Sequence, residues 1–318
     1  MRSRLVISPR LYARVALVAL AALVLIVLTG AAVRMTGSGL GCPDWPKCYG
    51  RTIAPLESHA IIEYTNRLLS GIVGISVIAA GALAWFRRPF RWHLALFGGF
   101  LPIGVMGQAV LGALVVKHHL APGLVMSHFI LSMILLDAAF ALAWCARYEP
   151  EERGRSTDRL GVWAVRALVP LGQLTIVAGT IATASGPHAG SHGETLVQRF
   201  DFRGANTLHW VVERHGVIAT VFGLALCAVW LLLRRSGGEK RALKPLTVTI
   251  GLVALQGALG LVQYSAELPA ELVWLHVALA TLTWVSVLWT VGSAGRLAPR
   301  AAPENAAPRR ERELAPVG

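Results

Sequence analysis

Gln108-Ala-Val-Leu-Gly112 stands 20 residues ahead of His128, and Gln256-Gly-Ala-Leu-Gly260 stands 20 residues ahead of His276. The two copies are offset by 148 residues. The same comparison sets Gly30 to Gly37 beside Gly179 to Gly186, and Asn66 beside His215, at an offset of 149. The chain is therefore a duplication, and the fold of one half is repeated in the other.

Working outward from these segments, apolar stretches of about 20 residues, each enough to span a hydrocarbon core, occur at 12–34, 68–86, 94–116, 124–146, 161–183, 211–233, 245–264 and 272–294. A hydrophobic content of 55% and a mean hydropathy of +0.57 agree with lipid as the solvent. The first stretch follows an arginine-rich start, but its apolar run from Val15 to Val33 is too long for a cleaved signal and is read as a retained helix. Four spans per copy is an even number, so both copies start on one side of the membrane and are related by an axis along its normal. The expected fold is an all-α polytopic membrane protein with eight transmembrane helices, arranged as two parallel-repeat four-helix bundles. Residues 1–150 form the first half and 151–296 the second. Residues 297–318, rich in Ala, Pro, Arg and Glu, are expected to be a disordered cytoplasmic tail.

A net charge of +13 would suit nucleic acid if the basic residues shared one soluble face, but they sort by membrane side. Arg10 and Arg14, Arg87, Arg88 and Arg91, Arg147 to Arg159, Arg234 to Lys244, and Arg296 onward all flank the same ends of the spans. Both termini are thus expected in the cytoplasm, the lipid bilayer is the partner the charge serves, and no nucleic acid is needed.

Of four cysteines, Cys145 and Cys227 lie in apolar spans and read as small hydrophobes. Cys42 and Cys48 share the first external loop, where oxidising conditions permit a bond between them. Such a bond is either a structural clip or an exchangeable redox pair, and the spacing alone leaves both open.

Ionisable groups in membrane helices are functional candidates by default, and neutral imidazole is a good haem ligand. His128 and His276 sit at equivalent depths near the outer ends of their spans. His215 can face His276 in the second bundle, giving two ligands to one haem iron, with His209 as an alternative. In the first bundle His128 would face Asn66, whose amide ligates iron poorly, so that pocket reads as open and suited to a substrate. Glu63, Asn66 and Arg67 share one face if the helix already begins there. That cluster is either an ordinary Glu–Arg pair or a site where Glu63 handles a proton or orients substrate. Arg34 and Arg67 can also pair with haem propionates. His59, His118, His119, His188 and His192 read as loop residues without a role.

The loop Thr36-Gly-Ser-Gly-Leu-Gly-Cys-Pro-Asp-Trp-Pro-Lys-Cys48, together with Glu63, His128, His215 and His276, closely resembles the haem A synthase family across all eight spans. The resemblance implies a bacterial plasma-membrane enzyme that oxidises a ring methyl of haem O to a formyl group, by successive hydroxylations and loss of water, to supply haem A to terminal oxidases. It implies a haem b cofactor held by His215 and His276 in the second half, and substrate haem O in the first half at His128, Asn66 and Arg67. It further implies Glu63 as the catalytic residue, a Cys42–Cys48 disulfide tied to activity, and haem sites toward the outer face. An electron donor of unidentified nature and the haem O synthase are the partners this chemistry calls for, and an oligomer is compatible with it. Asn66 departs from the family pattern, since many members have histidine there. Two other classes compete with the enzyme: a non-catalytic haem b electron-transfer protein, and a haem transporter that would bind haem without altering it.

Overall fold

The computed structural model describes residues 6–191, 197–237 and 240–298. Among the described residues, eight helices are long and apolar enough to cross a membrane: α1 Pro9–Met35, α2 Ser58–Phe86, α3 Trp92–Lys117, α4 Pro122–Arg147, α5 Arg159–Ser185, α6 Thr207–Ser236, α7 Leu243–Ser265 and α8 Ala270–Ser293. Local chemistry sets several of their ends. Ser8 caps α1 by accepting the N–H of Leu11 at 3.3 Å, and Asp158 caps α5 by accepting that of Gly161 at 2.8 Å. Proline opens α1 and α4, where its missing N–H costs nothing.

Most helix ends fall within four residues of the apolar stretches, but α2 begins at Ser58, ten residues before the stretch at 68. Those early turns are polar because they pack against the first external loop rather than against lipid. The extension puts Glu63, Asn66 and Arg67 on the helix.

The helices close into two rings. In the first, α1 packs on α2 and α4, and α3 bridges α2 and α4; in the second, α5 packs on α6 and α8, and α7 bridges α6 and α8. The rings touch through α1 with α8, α4 with α5, and α4 with α8. Close approach between α2 and α3 depends on Gly81, where a Cβ would lie 2.6 Å from the carbonyl oxygen of Gly98.

At the arginine-rich ends, Glu149 receives Arg87 and, at 3.3 Å, Arg91, tying the α2–α3 turn to the end of α4. The tail expected from residue 297 starts with structure. Arg296–Leu297 pairs in parallel with Arg155–Ser156, and the N–H of Ala298 reaches the carbonyl of Ser156 at 2.9 Å. The rest of the expected tail, 299–318, lies outside the described residues, as does His192.

Candidate functional site

In the second ring, Gln256 on α7 donates from Nε2 to the backbone carbonyl of His276 at 2.9 Å, which explains the 20-residue spacing as a contact between antiparallel neighbours. His215 on α6 and His276 on α8 have ring centroids 6.5 Å apart with planes at 73°. Each ring is seated on a glycine. A Cβ at Gly260 would come to 3.3 Å of His276, and one at Gly179 to 3.1 Å of His215. His209 turns away, its Nδ1 bonded to the Tyr264 hydroxyl at 2.9 Å, so His215 is the histidine opposite His276.

Two imidazoles that shared one iron, with metal–nitrogen bonds of about 2 Å each and about 1 Å from nitrogen to ring centre, would put their centroids roughly 6 Å apart. The observed separation fits a shared haem iron. The buried Nδ1 atoms of both rings lack a hydrogen-bond partner.

The first ring repeats half of this. Gln108 donates to the carbonyl of His128 at 3.0 Å and to Ser132 Oγ at 2.7 Å, and a Cβ at Gly112 would lie 3.5 Å from the imidazole. Opposite His128 the pattern breaks. Asn66 stands where the second ring has His215, its Oδ1 is buried without a partner, and Gly30, the counterpart of Gly179, has nothing within 4 Å of its Cβ position. Space in the first ring thus stands where the second has an imidazole.

Above that space lies the loop that Cys42 and Cys48 close as a disulfide, with Cα atoms 4.7 Å apart. Glu63, 6% exposed, accepts the N–H of Cys42 at Oε2 (2.8 Å) and the guanidinium of Arg67 at Oε1 (2.5 and 3.1 Å). Arg67 also donates to the carbonyls of Asp44, Lys47 and Cys42 at 2.9, 2.9 and 3.1 Å. All five guanidinium donors are engaged by the protein, so Arg67 holds the loop and has none left for a propionate. Arg34 commits two of its donors, Nε to the carbonyl of His188 and Nη2 to that of Thr183, at 3.0 Å each, and keeps the others. Asp44 accepts the N–H groups of Gly50 (2.7 Å) and Tyr49 (2.6 Å). The Gly50 contact above all holds its carboxyl below the usual range, with the Tyr49 bond and the Arg67 charge adding to it and partial desolvation opposing.

Residues 13–288 match the COX15-CtaA family model, described as "Cytochrome oxidase assembly protein". The chain belongs to that family. It is 27% identical to the "Heme A synthase" of Shewanella oneidensis, a match covering 83% of this chain and 93% of that protein. It is 35% identical to the "Heme A synthase" of Bacillus pumilus over 38% of this chain and 40% of that protein. A "Protoheme IX farnesyltransferase" of Thermus thermophilus is 30% identical over 85% of this chain, which spans 46% of that protein's length. The family resemblance carried by the loop and the histidines holds.

Within this COX15-CtaA chain, the structure brings together His215 with His276, and Glu63 with Arg67, Cys42 and Cys48. It sets Asn66 and His128 in the same ring, on α2 and α4, without a hydrogen bond between them. Two features escaped the sequence reading. Ser132, whose counterpart at the 148 offset is Ala280, adds a second polar group beside His128. Asp137, in the middle of α4, bonds to two helices of the other bundle, α5 through Gln173 and α8 through Trp284. A lone aspartate in an apolar span was the available signal.

Proposed function

We propose that this protein is a haem A synthase that oxidises a ring methyl of haem O to a formyl group. The observation that carries the reading is the asymmetry of two pockets built on one repeat. His276 is met by a second imidazole, whereas in the first ring the position equivalent to His215 holds Asn66, beside the space at Gly30. The polar residues peculiar to the first half, Glu63, Asn66, Arg67 and Ser132, correspond to Val212, His215, Gly216 and Ala280 in the second.

On this reading residues 151–296 hold haem b through His215 and His276, and residues 1–150 receive haem O at His128. Haem b, when bound, supplies one-electron redox chemistry. The chain's own groups orient and protect. Gln108 and Gln256 fix the backbone carbonyls of the two ligand histidines, and Asn66 leaves room for the substrate. Glu63, anchored by Arg67 and by the Cys42 N–H of the disulfide loop, borders the pocket as proton carrier or substrate guide. A relative named for farnesyl transfer to protohaem supports a substrate that arrives already farnesylated, with the haem O synthase as functional neighbour. The electron donor is external to the chain. The multi-pass helices belong, on this reading, to the bacterial plasma membrane, with the arginine-rich ends and both termini in the cytoplasm and the histidine pockets toward the outer face.

Purified protein tests the ligand assignments. One low-spin bis-histidine haem b is expected, lost in His215→Ala and His276→Ala. Added haem O should give a second species without bis-histidine character, lost in His128→Ala. Haem O binding that ignores His128 would sink the pocket assignment.

A further inference from the structure

The two helices that carry the equivalent histidines, α4 with His128 and α8 with His276, touch across the boundary between the rings. Asp137 lies nine residues inward from His128, and Trp284 eight residues inward from His276. At 1.5 Å per residue both stand about 12 to 14 Å below their histidines, near mid-membrane. There Asp137 Oδ1 accepts the indole N–H of Trp284 at 2.7 Å, and Oδ2 accepts the side-chain amide of Gln173 on α5 at 3.1 Å. Trp284 is 2% exposed and seated against α5, where a Cβ at Gly172 would lie 2.8 Å from its ring.

Three helices drawn from both rings therefore meet on one carboxylate. Among the described residues, the other acidic groups of the spans, Glu63, Glu213 and Glu271, lie in their first turns or just beyond, so Asp137 is the one acid at mid-depth. The duplication does not repeat this tie. At the 148 offset the counterparts of Asp137 and Trp284 are Val285 and Leu136, an apolar pair. A carboxylate in the middle of a span is costly, and apolar contacts alone would let α4 and α8 slide along one another. Directional bonds to a tryptophan already locked by packing fix their register.

We propose that Asp137 is a positioning residue. With Trp284 and Gln173 it locks α4 against α8 and so sets the separation between the substrate pocket at His128 and the haem b pocket at His276. The naming of the two pockets rests on the function proposed above, whereas the lock itself is a statement about helix register.

Spin labels on the free thiols Cys145 of α4 and Cys227 of α6 place one probe in each ring, and pulsed dipolar spectroscopy in nanodiscs reads their separation without needing any haem. Native protein and Asp137→Asn should give one narrow distance. Asparagine keeps a carbonyl for Trp284, and the Gln173 amide can turn to accept from its NH2. Asp137→Leu and Trp284→Phe should broaden or shift the distribution and lower haem A formation roughly tenfold or more, with haem b content and its low-spin spectrum unchanged. If Asp137→Leu fails to accumulate, Trp284→Phe, which removes the N–H together with the five-membered part of the indole and keeps an aromatic six-membered ring, carries the test. Native distances in the two disrupting variants would overturn the proposal. So would loss of turnover in Asp137→Asn as complete as in Asp137→Leu, since that would assign the residue a charge or proton role. Should native protein hold no haem b, the pocket naming falls while the distance measurement still decides the lock.

Discussion

Glu63 Oε2 accepts the backbone N–H of Cys42 at 2.8 Å, so the carboxylate on α2 and the disulfide loop form one hydrogen-bonded unit. Removing that carboxylate leaves Arg67 without its charge partner and the Cys42 amide without an acceptor, in a region with little water. A cost of roughly 2 kcal/mol or more is expected for Glu63→Ala, and less for Glu63→Gln, which keeps an acceptor. The check is thiol trapping under a mild reductant. Cys42 and Cys48 are 0% and 1% exposed and should resist reduction in native protein, resist nearly as well in Glu63→Gln, and be reduced quickly in Glu63→Ala. Rapid reduction of the native loop would show that the bond is not sheltered as the packing requires.

Acid should open the same loop. The folded value of Asp44 is depressed, chiefly by the Gly50 N–H, so its stabilising effect is present above the unfolded value of about 3.9 and is lost as pH falls through the lower folded one. Measured relative to an unstructured disulfide peptide in the same reductant, which cancels the reductant's own titration, reduction should be independent of pH from neutrality down to the ordinary carboxylate range and accelerate below it. Asp44→Asn should accelerate it at neutral pH and flatten the profile. A native profile that rises instead between pH 5 and 7 would point to another group.

The histidines of the second ring should separate by role. His215→Ala and His276→Ala are expected to abolish low-spin haem b, while His209→Ala, which loses a bond to Tyr264 at the rim, should retain it. Absorbance and electron paramagnetic resonance of purified protein decide this. Loss of haem in His209→Ala with retention in His215→Ala would reverse the assignment.

Asn66→His should rebuild in the first ring what the second has. Gly30 leaves open the space that Gly179 offers His215, so a new imidazole can be accommodated. The variant is expected to bind a second bis-histidine haem and to lose at least tenfold in conversion of haem O, because the open position is filled. Unimpaired turnover would show that the space beside Asn66 is not where the substrate reacts.

Much of this was legible in the chain. Membrane spans need about 20 apolar residues, so the eight runs announce themselves, and duplication preserved the Gln-to-His spacing because Gln108 and Gln256 each hold a histidine carbonyl. The start of α2 was not legible, since turns that pack on a loop need not be apolar. In sequence Arg67 looks available to a propionate, because its acceptors, apart from Glu63, are backbone carbonyls, which no side-chain pattern announces. Asp137 stood out only as a charge in an apolar span. Its partners Gln173 and Trp284 lie 36 and 147 residues away, and only the packing of the two rings brings them to it.

The central claim is tested most directly by extracting haems from membranes of a haem-O-producing host that expresses this chain, separating them and identifying each by mass. The account predicts haem A with the native protein, and its loss in Glu63→Ala and His276→Ala at equal expression. Haem b bound to native protein while haem O persists unconverted, with electron supply intact, would contradict it.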